Sequence, residues 1–353
     1  MRRRPRDRDF VETAEGFFFC VVGYLHPADR YTAYLKYTPA AGGRWARGGI
    51  SYRRELPYYH VQNVVKTLAF LEREFPRYIW RDPIRDLRFS FVPHEAVVTY
   101  YLPEERLARI VDDPADRLET EVRDLVTRLR AATGLPRSAF GITGSTLLGL
   151  HDPSFSDIDL IVYGAANARL VQRALGALGP PFAPLGVERR QRWRAETARR
   201  FGLAEMEVAD FESTRWNYFL FNGRYVSVHA TRADSEITEA YGTRPVRRLG
   251  EATIDARVVD ASEALFLPAI YRIADSTGPD GAPAAIDQVV SFEGLYCSVA
   301  EAGDRIRAQG VVEESEGLRR LVVGVDSVED GGSLRVTARS GSGMQDGGPT
   351  ASP

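Results

Sequence analysis

Lysine is nearly absent from this chain. Of 46 basic residues in 353, only Lys36 and Lys66 are lysines, and the remainder are arginine. Genome composition accounts for such a bias more readily than function does. Abundant Arg and Glu with little Asn also fit the profile of a thermophile. Cysteine is equally scarce. Cys20 and Cys297 are far apart and each lies in an apolar stretch, the pattern of buried thiols in a reducing compartment, with a disulfide as the alternative. Two cysteines and five scattered histidines argue against a zinc site. No apolar run approaches the roughly 20 residues that span a bilayer, and Phe17 to Gly23 reads as a buried strand. Met1 is followed by Arg2, Arg3 and Arg4, but no signal-peptide apolar region comes before Asp7 and Asp9. These absences predict a cytoplasmic protein with no membrane partner. The net charge of −2 gives no global attraction to nucleic acid.

The chain is long enough for two or three domains. Residues 1–114 read as an α+β unit. Gly16 to Tyr24 and Tyr31 to Tyr37 are expected strands around the turn His26-Pro-Ala-Asp29. Val61, Val64, Val65, Leu68, Leu71 and Phe75 recur at helical spacing, and Leu87 to Val92 is another strand. Residues 115–245 alternate helix and strand, which predicts a mixed α/β sheet. The helix Pro114 to Ala132 ends at Gly134-Leu-Pro136. A strand Phe140 to Thr143, a helix Ser145 to Leu150, a strand Asp157 to Tyr163 and a helix Ala165 to Leu178 follow. Tyr218 to Phe221, Asn222-Gly223 and Tyr225 to Ala230 form a hairpin signal. Residues 246–328 read as short strands between Gly- and Asp-rich turns, a β-rich barrel or sandwich. An OB-like barrel there would suit nucleic acid. Residues 329–353 are Gly/Ser-rich with little apolar content and are expected to be a disordered tail.

The chemistry concentrates in one run. Gly144-Ser145 is followed, after the eleven residues Thr146 to Ser156, by Asp157-Ile158-Asp159 in an apolar stretch that continues to Tyr163. A strand places residues i and i+2 on one face, so Asp157 and Asp159 project side by side while Ile158, Leu160 and Val162 serve the core. Adjacent carboxylates repel, and a hard dication such as Mg²⁺, or Mn²⁺, relieves the repulsion. The Gly-Ser turn offers a close backbone approach and free N–H groups to phosphate. The alternative for the pair is an edge strand with charges in solvent, and for Gly-Ser a simple strand-to-helix turn with serine as cap.

Gly144-Ser145, the spacer and Asp157-Ile158-Asp159 resemble the signature of the DNA polymerase β-like nucleotidyltransferases. The motif covers a short part of the chain, and the resemblance extends over roughly 115–235. The ends of the chain are similar to those of archaeal nucleotidyltransferase-domain proteins, which specifies no substrate. The resemblance implies a nucleotidyltransferase core in which Asp157 and Asp159 hold Mg²⁺ (or Mn²⁺) and Gly144 and Ser145 contact the triphosphate of an NTP. The implied reaction moves a nucleoside monophosphate to a hydroxyl on RNA, a protein or a small molecule and releases pyrophosphate. The family also places a third carboxylate on a neighbouring strand. Tyr225 to Ala230 is the expected neighbour, yet it offers Ser227 and His229. Glu205, Glu207, Asp210 and Asp234 are nearby acids without a matching apolar frame. Two rival readings follow: a non-catalytic nucleotide- or RNA-binding protein that keeps the fold, and a toxin–antitoxin-type protein that nucleotidylates a partner.

Outside the motif, His151 reads as an exposed loop histidine. The arginines around Trp193 (Arg189 to Arg200) read as a solvated helix face with Glu188 and Glu196 as partners, or as a nucleic-acid footprint. Arg2, Arg3, Arg4, Arg6 and Arg8 read as a flexible terminus. Tyr24, Tyr31, Tyr34, Tyr37, Tyr52, Tyr58 and Tyr59 read as packing residues, with base stacking as the alternative.

Overall fold

The computed structural model describes residues 3–56, 61–324 and 332–340. They form a mixed α+β architecture of three sheets and seven α-helices among the described residues.

The N-terminal unit is an eight-stranded antiparallel sheet. Its strands are β1 (Phe10–Thr13), β2 (Phe18–Val21), β3 (Arg30–Pro39), β4 (Trp45–Arg47), β5 (Ile50–Arg54), β6 (Ile79–Asp82), β7 (Leu87–Pro93) and β8 (Val97–Tyr101). The main path runs β4-β5-β3-β2-β1-β8, with β7 added to β3 and β6 to β7. Helix α1 (Val61–Glu74) packs on it, burying Val64, Leu68 and Leu71 as the spacing predicts. Both faces of β3 are covered: Tyr31 through Thr38 are all buried. Tyr31, Tyr34, Tyr37 and Tyr52 are therefore packing residues; Tyr58 and Tyr59 lie outside the described residues. Arg2 lies outside the described residues, and Arg3 and Arg6 are not loose. Arg3 pairs with Asp9 and Glu104, and Arg6 pairs with Asp234 and lies 4.0 Å over the Tyr163 ring. This corrects the expectation of a flexible terminus. A run of arginines becomes ordered where buried carboxylates meet it.

The central unit contains α2 (Pro103–Asp112), α3 (Arg117–Thr133), β9 (Phe140–Ile142), α4 (Gly144–Leu148), β10 (Ile158–Tyr163), α5 (Ala165–Ala177), β11 (Phe182–Ala183), α6 (Val187–Phe201), α7 (Glu205–Ser213), β12 (Tyr218–Phe221) and β13 (Arg224–Thr231). Helix α3 starts at Asp116, whose side chain accepts the Glu119 N–H at 2.9 Å, and stops at Gly134 in the left-handed region. Leu118, Val122, Leu125, Val126 and Leu129 face the sheet, fully buried. The sheet order is β11-β12-β13-β10-β9, mixed because β10 and β13 run parallel. Asn222-Gly223 makes the β12–β13 turn with both residues at positive φ.

The C-terminal unit has β14 (Arg247–Asp260), β15 (Ala269–Thr277), β16 (Gln288–Ser291), β17 (Arg305–Ser315), β18 (Leu318–Val323) and β19 (Ser333–Ala338). The order β14-β15-β16-β18-β17 closes through a β14–β17 ladder, giving a five-stranded barrel with one parallel pair, β16–β18. Its core takes in Trp193, Phe201 and Phe211 of α6 and α7. The predicted tail is corrected over Ser333–Ala338, which pairs with β17 and buries Leu334. Alternation of Leu334 and Val336 is enough for an edge strand despite the Gly/Ser-rich surroundings. The rest of that expected tail, 329–331 and 341–353, lies outside the described residues. Among the described residues, no helix is long and apolar enough to cross a membrane.

Candidate metal and nucleotide site

The Asp157–Asp159 segment is positioned from three sides. On one side β9 pairs with β10, and the Thr143 N–H donates to the Asp159 carbonyl at 2.9 Å. The chain then turns through Gly144 into α4. Gly144 has φ +68°, and a Cβ there would lie 2.3 Å from Asp159 Oδ2. The position therefore requires glycine twice, for its backbone and for the carboxylate seated against it. Ser145 follows, half-buried, at the rim of the same cavity. The apolar side of α4 does not belong to the central core. Leu147, Leu148 and Leu150 are buried with Phe10, Phe18, Tyr34 and Tyr52 of the N-terminal sheet. Arg47 Nη1 also donates to the Leu148 carbonyl at 3.0 Å.

On the second side is the loop that delivers Asp157. Arg224 of β13 spans it: Nη1 donates to the Ser156 carbonyl at 2.6 Å and Nη2 to the Pro153 carbonyl at 2.8 Å, while Nε bonds Glu121 of α3. Asp157 is exposed at the strand's mouth, and Ile158, Leu160 and Val162 are fully buried, as the alternation predicts.

On the third side, β13 is the parallel neighbour of β10, with Ser227 opposite Asp159 and His229 opposite Ile161. The Ser227 hydroxyl donates to Asp159 Oδ1 at 2.5 Å and lies 2.9 Å from His229 Nε2. With its own hydrogen committed, Ser227 accepts from Nε2–H of a neutral imidazole. The strand chosen from the sequence is thus the adjacent one, and it carries no acid facing the pair. Three of the four other candidate acids, all but Glu205, are engaged elsewhere. Glu207 accepts the Ala204 N–H and pairs with Arg335, Asp210 pairs with Arg339, and Asp234 pairs with Arg6.

The two aspartates differ electrostatically. Burial and the charge of Asp159 push the Asp157 carboxyl up from 3.8 to about 6. For Asp159, burial would raise the value, but contacts from His229 and Ser227 outweigh it and hold the carboxyl at about 2. Burial and the Arg8 charge drive His229 down to about 4, so it is neutral at pH 7. The site therefore offers one firm carboxylate and a second whose ionisation the first opposes. Hard oxygen donors in that relation fit a divalent cation.

A cavity of about 570 Å³ opens over the pair. Its walls come from all three units: Asp7, Arg8, Lys36 and Arg54 from the first, Gly144, Ser145, Asp157, Asp159 and Tyr225 from the second, and Glu293 from the third. Asp7 and Glu293 are the two further carboxylates of this cavity. Sequence reasoning missed both, because each sits in an unrelated segment and no spacing links them to the motif. Asp7 accepts the Gly23 N–H at 2.9 Å and lies 3.6 Å from Arg8.

The basic helix α6 contributes less than its charge suggests. Arg190 and Arg194 pair with Glu212 of α7 rather than with Glu188 or Glu196, and Arg189 lies over Tyr225 at 5.5 Å. His151 is not exposed. Its side chain is 6 % accessible and bonds Asp116 Oδ2 at 2.8 Å. Asp116, Glu119 and His151 form the group of ligand-type atoms within 4.8 Å of one another among the described residues. Those carboxylates are already used: Asp116 caps α3, and Glu119 accepts from Ala115 and pairs with Arg106. The thiols of Cys20 and Cys297 are unpaired, and burial pushes each up to about 11.

No protein-family model matches the chain, and no solved structure matches it. The chain is similar to the uncharacterised protein MJ1086 of Methanocaldococcus jannaschii, with 29 % identity over 335 residues, covering 91 % of this chain and 96 % of that protein. The similarity spans all three units, so the relative is comparable in extent but adds no activity.

Proposed function

We propose that the chain is a divalent-metal-dependent nucleotidyltransferase of the polymerase β-like type. One observation carries the reading: the Gly144-Ser145 turn is packed against the Asp159 carboxylate, with Asp157 beside it in the wall of a cavity lined by cations. Asp157 and Asp159 would hold Mg²⁺ or Mn²⁺, which supplies charge stabilisation for phosphoryl oxygens. Ser145 and the backbone beside Gly144 would receive the phosphates of an NTP. The acceptor hydroxyl attacks the α-phosphorus in line and gives up its proton to solvent, an O–P bond forms, the α–β phosphoanhydride breaks and pyrophosphate leaves. Ser227 fixes the Asp159 carboxylate in one rotamer and so positions the reacting groups. The acceptor is an RNA end, a protein hydroxyl or a small molecule.

A second reading is favoured by one observation. β13 presents Ser227 and His229 where a third carboxylate would take the acceptor's proton. It makes the protein a nucleotide- or RNA-binding module without turnover.

Incubation with each α-labelled NTP, Mg²⁺ or Mn²⁺, and pooled RNA or cell protein separates the two. Label transfer that disappears in Asp157→Asn/Asp159→Asn is the expected result. NTP binding with no transfer to any acceptor would sink the enzyme reading in favour of the binding module. Transfer confined to one protein would identify the partner-modifying variant.

A further inference from the structure

The geometry points to a second role for the N-terminal sheet: Arg8, Lys36 and Arg54 form a phosphate-binding subsite in the cavity that holds Asp157 and Asp159. It rests on the reading of that cavity as a nucleotidyltransferase site only in naming phosphate as the anion. The positive charge itself is independent of that reading.

The first observation is a surplus of positive charge. Six cationic side chains line the cavity (Arg8, Lys36, Arg44, Arg54, Arg200 and Arg215) against four carboxylates (Asp7, Asp157, Asp159 and Glu293), an excess of 6 − 4 = 2 before any metal is counted. Among the described residues, neither Lys36 nor Arg54 has a carboxylate within 4.0 Å, and Arg54 Nε spends one hydrogen on the Leu56 carbonyl. A second cavity between the N-terminal sheet and the barrel, about 520 Å³, behaves differently. Three of its six arginines pair with carboxylates of its own wall, Arg232 with Glu263 and both Arg248 and Arg320 with Glu313. The excess there is 6 − 5 = 1, so the larger surplus of positive charge lies in the cavity with the aspartate pair.

The second observation is burial. Lys36 is 7 % exposed on a strand whose neighbours are apolar or aromatic, and its Nζ lies 5.6 Å from the Tyr34 ring, with no carboxylate beside it among the described residues. A buried ammonium without an acceptor is expensive. Burial and the charges of Arg54 and Arg8 lower its pKa to about 7, with Asp159 opposing. One of only two lysines in an arginine-rich chain therefore lies where like charges crowd, an arrangement that an incoming anion relieves.

The third observation is backbone strain. Arg8 has φ +67°, a conformation uncommon for any residue with a side chain. It is held there by its own N–H to the Val21 carbonyl and by the Thr143 hydroxyl, which donates to the Arg8 carbonyl at 2.8 Å. Thr143 is the residue before Gly144. The strained arginine is therefore tied to the turn that faces Asp159, and strain retained at such a place accompanies function. A phosphate here has two sources: the nucleotide's own triphosphate, or a phosphate carried by the acceptor.

Calorimetric titration of the full chain, without metal, uses inorganic pyrophosphate, an NTP against its nucleoside, and a 5′-phosphorylated against a 5′-hydroxyl oligoribonucleotide. In Lys36→Met and Arg54→Gln, pyrophosphate affinity is expected to fall about tenfold or more, the worth of one charge-assisted contact. Thermal melts confirm that each variant folds. A matching loss for the NTP but not the nucleoside assigns the subsite to the triphosphate. A loss confined to the 5′-phosphorylated oligonucleotide assigns it to the acceptor. Unchanged affinities for every phosphate probe in both variants would overturn the subsite, as would an equal loss for the nucleoside and the 5′-hydroxyl oligonucleotide. Anion binding that depends on Lys36 and Arg54, in a protein that transfers no label, would leave the subsite standing while the enzyme reading fails.

Discussion

Asp157 carries a stability cost that can be measured. Its folded-state pKa is raised from 3.8 to about 6, so the protonated form is the one folding favours. Its contribution is present below about pH 4 and is lost as pH rises through 6. Asp157→Asn therefore stabilises the protein above pH 6 and has no effect below pH 4. The shift would suggest more, but the residue keeps much of its surface in solvent, and screening reduces the expected gain to about 1 kcal/mol. Thermal melts of both proteins at pH 4 and pH 8 check this; a destabilised variant at pH 8 would contradict it. At this scale the motif was legible, because Gly144, Ser145, Asp157 and Asp159 are linked by local geometry. Lys36, Arg54, Asp7 and Glu293 were not. Each reaches the cavity from a different unit, and nothing in its own neighbourhood marks it.

The β10–β13 pair shows how much of a site local sequence can carry, since the neighbouring strand and its Ser227 and His229 were both legible. Apolar alternation and Asn222-Gly223 identified both strands, and the parallel pairing brought Ser227 opposite Asp159. The third member of this assembly is the loop Pro153–Ser156, held by Arg224, which is only 12 % exposed along its side chain. Arg224→Ala removes three hydrogen bonds and leaves Glu121 with a single partner, Arg117. The expected cost is about 2–4 kcal/mol. A drop in Mn²⁺ affinity should accompany it, because Asp157 loses its fixed position. Chemical denaturation and metal titration measure the two effects separately, and unchanged metal affinity would show that the loop does not place the carboxylate. Elements failed to be legible where tertiary contacts decide. The strand Ser333–Ala338 exists because β17 offers an edge, and the arginine-rich start is ordered because Asp9 and Glu104 await it.

Across the whole molecule, three cores meet at one cavity. The three segments were visible in the sequence as changes of periodicity, but their mutual packing was not. Leu147, Leu148 and Leu150 look like an ordinary short helix, yet they are buried in the N-terminal sheet's core. Likewise α6 reads as a solvated basic helix, yet apolar residues of α6 and α7 complete the barrel's core. The N-terminal unit is thereby coupled to the Gly-Ser turn. Leu148→Ala, at a site 1 % exposed, is expected to cost about 2–5 kcal/mol. It should also weaken NTP binding, although Leu148 does not line the cavity. Denaturation and nucleotide titration of the variant test the coupling; lost stability with unaltered nucleotide affinity would mean that the sheet supports the fold but not the site.

The central claim is that Asp157, Asp159 and the Gly144-Ser145 turn form a single metal–triphosphate site. The most direct measurement is Mn²⁺ binding followed by electron paramagnetic resonance, with and without an NTP, in the native protein and in Asp157→Asn/Asp159→Asn. The account predicts protein-bound Mn²⁺ that the NTP tightens in the native protein, and loss of both the binding and the tightening in the variant. Equal Mn²⁺ and NTP binding by the two proteins would contradict it.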